Sequence, residues 1–216
     1  AHDLRGPIGH FQGLLEILCK DSTREDASLY DDIMELMQQS ASSTYSLLEN
    51  LLNWARAQKD EIEFRPQSRN IRELVDEVVQ LKSPEAMQKD IRLNHNVETD
   101  LHGQVDYHMV NLVIRNLVDN AIKFTPRGGE VDIRGEKTDR AVKIAVKDSG
   151  VGMPEKVREK VFDPYDHHTG PGTENEKGSG LGLKLCREFI AKHSGEIRVE
   201  STEGQGTTFI FTIPVN

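Results

Sequence analysis

Cysteine is scarce in this chain: Cys19 and Cys186 are the only two among 216 residues. Their spacing offers neither a disulfide framework nor a zinc site, which fits a reducing compartment, so a cytoplasmic location is expected. Positive charge is also short. The net charge of −9, with no dense Lys/Arg cluster, argues against a nucleic-acid surface. The apolar share of 36% is low, yet with 29% charged residues it describes a soluble chain able to form a core. No run of about 18 apolar residues occurs, so no contact of this fragment with a membrane is expected. No secretory leader is read at the start. The chain opens on Ala1 and not on Met, as expected of a fragment, which leaves room for a membrane-anchored parent.

Against these absences one stretch stands out: Asn116-Leu117-Val118-Asp119-Asn120-Ala121-Ile122-Lys123-Phe124. It lies in an apolar run from Val110 with helical spacing, and Asp106 can cap it. Asn116 and Asn120 are four apart and share one face, with Lys123 on the same side. Buried apolar helices rarely carry two Asn in register, because each amide needs partners. Two amide oxygens and an ammonium suit a hard cation and phosphates. In isolation, a pair of capping or solvated Asn would look the same.

Before it, residues 2–19 and 28–62 read as two helices. Leu4, Ile8, Phe11, Leu15 and Leu18 form a heptad seam, as do Tyr30, Ile33, Met37, Ser40, Thr44, Leu47, Leu51 and Trp54. Pro7 predicts a kink. A short polar link makes them an antiparallel hairpin whose wide apolar faces call for dimerisation into a four-helix bundle; the alternative is a hairpin packed on its own globular domain. The small residues Ser40, Ala41, Ser42, Ser43, Thr44 and Ser46 fall level with His2 and would tolerate bending there. Phe64-Arg65-Pro66 marks the boundary between domains at 1–62 and 63–216.

The second domain reads as α+β, with helices on one face of a mixed, largely antiparallel sheet. Asn70 with Glu73 forms a capping box for a helix whose stripe runs from Ile71 to Leu81. Strands are predicted over 91–97, 130–136, 141–147, 196–200 and 207–213. Its motifs follow in order. Asp148-Ser149-Gly150-Val151-Gly152 puts a carboxylate at a strand end beside two glycines, able to accept from an exocyclic amine while the backbone meets a flat ligand. Phe162-Asp163-Pro164-Tyr165 precedes a polar, Gly-rich stretch suited to a lid. Gly178-Ser179-Gly180-Leu181-Gly182 then opens a helix, whose free amide donors suit an anion. It is neither the phosphate loop ending in Gly-Lys-Ser/Thr nor the dinucleotide fingerprint. Gly204-Gln205-Gly206-Thr207 sits on the last hairpin.

On these motifs residues 63–216 resemble the ATP-binding catalytic domain of the sensor histidine kinases, a two-layer sandwich of the Bergerat (GHKL ATPase) fold. Asn116 to Asn120 looks like the N box, and Asp148 to Gly152, Gly178 to Gly182 and Gly204 to Thr207 look like the glycine boxes. Ala1-His2-Asp3-Leu4-Arg5-Gly6-Pro7 is similar to the phosphoacceptor box. The resemblance implies a protein-histidine kinase that uses ATP and Mg²⁺. His2 would be the nucleophile, with Asp3 as its orienting base. Asn120 would hold the metal, Asn116 would support the phosphate–metal cluster, and Lys123 would contact phosphate. Asp148 would bind the adenine amine with Thr207 nearby, and Gly150, Gly152, Gly178, Gly180, Leu181 and Gly182 would line the nucleotide. It further implies a homodimer and a response-regulator receiver domain as phosphoryl acceptor.

Two departures carry consequences. Gly6 stands where many relatives carry Thr or Asn, which predicts weak phosphatase activity toward the receiver. The lid has no Arg, with Lys177 as its one basic residue, which leaves Lys123 to carry more. His10 and the His167-His168 pair read as surface residues, and His193 as a cation on a helix C-terminus. Two other readings remain at this point: a nucleotide-binding pseudokinase scaffold signalling through dimer conformation, and a related ATPase working by clamping.

Overall fold

The computed structural model describes residues 2–19, 27–58, 62–163, 170, 172–174, 176 and 180–215. The chain falls into two compact units, Ala1–Glu61 and Ile62–Asn216.

In the first unit, helix α1 (His2–Leu18) packs against α2 (Ala27–Gln58). Leu14, Ile33 and Ser40 are buried between them. Thr44 donates its hydroxyl to the Ser40 carbonyl at 2.7 Å, the back-bonding that lets a helix carry Thr without leaving the hydroxyl unpaired. Ile8, Leu15, Ile17, Leu29, Tyr30, Met34, Leu36, Leu48 and Leu52 are each about 40 to 50% exposed, so only part of the two apolar stripes is covered within one chain. The side chains of His2, Asp3 and His10 lie outside the described residues, as do Gly178, Pro164, Tyr165, His167, His168 and Lys177.

In the second unit a five-stranded sheet has the order β2–β4–β5–β7–β6. Its strands are β2 (Arg92–Val97), β4 (Glu130–Lys137), β5 (Ala141–Asp148), β6 (Glu196–Ser201) and β7 (Thr207–Pro214). Only β2–β4 is parallel. A separate two-stranded sheet pairs β1 (Gln67–Asn70) with β3 (His102–Val105). Sequence reading missed both strands because their residues are short, polar runs. Helices α3 (Ile71–Gln88), α4 (Tyr107–Phe124), the single turn α5 (Glu155–Arg158) and α6 (Gly182–Lys192) complete the unit. One face of the sheet, carrying Val131, Ile133, Ile144, Val146, Phe209, Phe211 and Ile213, closes the core with Leu117, Val118, Leu185 and Ile190 of the helices. Among the described residues no helix is long and apolar enough to cross a membrane.

Local expectations fare unevenly. Asp106 caps α4 by accepting from the Met109 N–H at 3.2 Å. Asn70 caps α3 through the Arg72 N–H at 2.9 Å. Glu73 makes no described return bond, so the cap is a single bond and not a box. Leu81, expected in the buried stripe, is 60% exposed.

His193 is the clearest correction. It is buried, its Nδ1–H donates to the Phe189 carbonyl at 2.7 Å, and its Nε2 accepts the Asp106 N–H at 2.9 Å. Phe64 stacks edge-on at 4.9 Å. The imidazole is therefore neutral, and burial holds its pKa below the ordinary value, against the pull of the Phe189 carbonyl and the Asp106 charge. Because the folded pKa is depressed, the unfolded chain takes up the proton first. Stability falls as pH drops through about 6.5 and the loss is complete below the folded value. Thermal melts at pH 7.5 and 5.5 should show a larger acid-induced loss of Tm for wild type than for His193→Gln, since groups common to both cancel. Equal losses would refute a neutral His193.

Candidate functional site

The β5–β7 register sets Asp148 opposite Thr207, two residues 59 positions apart. Asp148 is 4% exposed. Its Oδ1 accepts the Gly150 N–H at 2.8 Å and the Thr207 N–H at 3.0 Å. Among the described residues no donor reaches Oδ2. Burial raises the carboxyl to about 6, and the two backbone bonds only partly offset it. The site thus holds a carboxylate with one oxygen fixed by the backbone and one left for a donor. Beneath it, Ser201 Oγ accepts the Met153 N–H at 2.9 Å and lies 3.0 Å from both the Gly206 carbonyl and Thr207 Oγ1. Sequence reasoning missed Ser201; a serine closing an edge strand carries no signal of its own.

The glycines around Asp148 are demanded by close approach. A Cβ at Gly150 would collide with the Phe124 carbonyl, at the C-terminal end of α4. Val151 N–H donates to that same carbonyl at 3.1 Å. At Gly206, φ is +84° and a Cβ would strike the Asp148 carbonyl. Gly152 packs on Thr202, and the Gly204 N–H donates to the Val151 carbonyl at 2.7 Å. The loop after β5 is thereby clamped between α4 and the 202–206 turn.

The other end of the site is built on α4 and α6. Asn116 is half-buried, and among the described residues its buried Nδ2 makes no hydrogen bond. A Cβ at Gly182 would stand 2.9 Å from Asn116 Oδ1, so the first turn of α6 abuts this amide. Gly180, at φ +66°, and Leu181 lead into that turn, and no side chain caps it. N–H groups at such a helix opening are suited to an anion. Lys123 is half-buried; its Nζ lies 3.3 Å from the Gly170 carbonyl and 4.7 Å over the Phe124 ring. Burial, helped by the Lys89 charge, lowers its pKa, and Glu176 opposes this. Asn120 is half-buried one turn beyond Asn116. Among the described residues no group of three or more His, Cys, Asp or Glu could hold a metal. A lone amide oxygen fits Mg²⁺, which keeps most of its waters and takes its remaining ligands from phosphates. Chemically, the arrangement sets a buried carboxylate with one oxygen left for a donor at one end of α4, and amide, ammonium and helix-opening N–H groups along the rest of it.

Residues 105–216 match the family described as histidine kinase-, DNA gyrase B-, and HSP90-like ATPase. Over its whole length the chain is 31% identical to the adaptive-response sensory kinase SasA of Crocosphaera subtropica and 29% identical to the histidine protein kinase DivJ of Caulobacter vibrioides. It spans 57% of the former and 36% of the latter. Among solved structures, the catalytic domain of the histidine kinase ThkA superposes with a TM-score of 0.62 at 34% identity, covering 71% of this chain and 98% of that one. ThkA in complex with the response regulator protein TrrA superposes over 100% of this chain and 59% of that one, with a TM-score of 0.74 at 26% identity. The match over more than half of its residues, on a sheet and helices of the same plan, makes the chain a member of the histidine kinase-, DNA gyrase B- and HSP90-like ATPase family, on its sensor histidine kinase branch.

Proposed function

We propose that the chain is the core of an ATP-dependent protein-histidine kinase: residues 63–216 bind ATP, and residues 1–62 dimerise and carry the phosphoacceptor His2. The observation that carries this reading is the Asp148 carboxylate, with Oδ1 held by two backbone amides and Oδ2 open to the exocyclic amine of adenine. Asn116, Lys123 and the opening turn of α6, from Gly180 through Leu181 to Gly182, would meet the phosphates, with Asn120 ligating Mg²⁺. When bound, that ion offsets charge on the transferring phosphoryl group. The neutral imidazole of His2 offers a lone pair near neutral pH. As its nitrogen bonds to the γ-phosphorus, the bond to the ADP oxygen breaks, and Asp3 takes the ring proton before passing it to solvent. Calorimetric titration tests the nucleotide end: ATP should bind at least about tenfold tighter than GTP, whose ring presents a carbonyl where adenine has its amine. Equal affinities would count against the Asp148 assignment.

The exposed apolar residues of α1 and α2 support a homodimer through these helices. The solved complex of ThkA with TrrA supports a receiver domain as partner, its Asp accepting the phosphoryl group from His2. Gly6 is exposed, and a Cβ added there would meet nothing within 4 Å, so Gly6→Asn fits sterically. Wild type should dephosphorylate its receiver slowly, and Gly6→Asn should speed release of inorganic phosphate several-fold. A wild type already fast, or an Asn variant with no gain, would sink the role given to this position.

A further inference from the structure

Outside the residues already assigned, the second unit holds a heavily engaged charge at Lys89, at the C-terminal end of α3. It is 5% exposed, and all three of its donors are used. Nζ donates to the Ile122 and Lys123 carbonyls, each at 3.0 Å, and to Glu176 Oε1 at 2.6 Å. The two carbonyls belong to the last turn of α4, where the helix leaves acceptors unpaired and where partial negative charge favours a cation. The carboxylate comes from a segment 87 residues away in sequence.

Glu176 in turn organises its own segment. Its Oε2 accepts the Glu174 N–H at 2.7 Å, and its carbonyl accepts the Gly172 N–H at 2.9 Å. Thr173 donates its N–H to the Lys123 carbonyl at 3.1 Å, and its hydroxyl lies 3.1 Å from the Lys123 and Thr125 carbonyls. Gly172 has no room for a side chain: a Cβ would meet Glu176 Oε2 and, at 2.6 Å, Lys123 Cγ. Residues 172–174 and 176 therefore form a strap across the end of α4, pinned by one buried ion pair and resting on the stem of Lys123. Burial alone would raise the Glu176 carboxyl, but Lys89 and the backbone donors hold it below its ordinary value.

Glu176, whose charge acts on Lys123, is thus already committed elsewhere. We propose that Lys89 is a positioning residue for nucleotide binding: it sequesters the Glu176 carboxylate, which lays the strap against Lys123 while keeping that lysine's ammonium, held by the Gly170 carbonyl and the Phe124 ring, out of a carboxylate pair and able to turn to phosphate. This rests on the reading of the site as an ATP site. Without Lys89, Glu176 would be left as a half-buried carboxylate whose charge already acts on Lys123, and pairing with it would cancel the charge that phosphate needs.

The test uses the purified chain as wild type, K89M, E176Q and K89M/E176Q. Two readouts are taken: ATP dissociation constants by calorimetry, and hydrogen exchange of the Gly172 and Thr173 amides without nucleotide. K89M should weaken ATP binding about tenfold, as expected when one partner of a buried charge pair is removed. E176Q should weaken it only about threefold, since loosening the strap creates no competing carboxylate. The double variant should return to the E176Q value. Exchange at both amides should quicken in all three variants. K89M binding ATP like wild type, or a double variant as weak as K89M, overturns the proposal. A wild type that binds no ATP refutes the reading on which it rests, whereas unchanged exchange with ATP binding intact refutes only the strap. Should K89M fail to fold, E176Q alone decides through exchange: faster at both amides supports the strap, unchanged overturns it.

Discussion

Replacing Asp148 with Asn should weaken ATP binding by about 100-fold while leaving the empty protein as stable as wild type or more so. Both halves follow from one geometry. The raised pKa of about 6 means that ionising this buried carboxyl costs the fold roughly 3 kcal/mol relative to an ordinary Asp. An Asn in its place removes that cost and can still accept both backbone amides through Oδ1. Its Nδ2, however, presents a donor to the adenine amine, donor against donor, and a favourable bond to a charged acceptor becomes an unpaired one. The pH dependence has the same origin. Since the folded pKa is raised, the empty fold loses stability as pH rises from about 4 to about 6 and carries the full penalty above that, and binding that requires the ionised form should weaken as pH falls below about 6. Calorimetry at pH 5.5 and 7.5, with melts of both proteins, checks each part. An Asn variant that binds ATP normally, or that melts several degrees lower, would break the link between burial of this carboxylate and base recognition.

His2→Gln should take no phosphoryl group from ATP and yet bind ATP with wild-type affinity. His2 opens α1, in the unit Ala1–Glu61, whereas Asp148, Asn116 and Lys123 all belong to Ile62–Asn216. Loss of the imidazole removes the proposed nitrogen nucleophile and leaves the nucleotide site untouched. A carboxamide is not nucleophilic at neutral pH, so incorporation should fall to background, a loss of at least about 1,000-fold for a covalent nucleophile. Asn120→Ala should also abolish labelling, through the metal. Residual labelling of the Gln variant at more than a few per cent of wild type would place the acceptor elsewhere.

What could be read in the sequence was local. Helix α4 announced itself through apolar residues at three and four spacing and an Asp one residue before the first turn. The strands β4 and β5 alternate, because each buries only one face, whereas β7 also buries Ile210 on its other face. What failed was decided at long range. Gln67–Asn70 carries no alternation and becomes a strand only because His102–Val105 lies beside it. His193 sits where a cation suits a helix end, but it is neutral because Asp106 offers it an N–H from 87 residues away. Within the site, Asp148 and the glycines fell into recognisable motifs, whereas the pairing of Asp148 with Thr207 came from strand register. Ser201, Lys89 and Glu176 could not be found at all: each takes its character from partners that only the folded chain supplies.

As a histidine kinase core, this chain would carry ATP's terminal phosphoryl group on a histidine nitrogen. Incubating the purified chain with γ-labelled ATP and Mg²⁺, then exposing the labelled protein to acid and to alkali, tests it most directly. A label on the chain that acid removes and alkali spares is the signature of phosphohistidine and is the predicted result. A label that survives acid, or no label on a chain that demonstrably binds ATP, would contradict it.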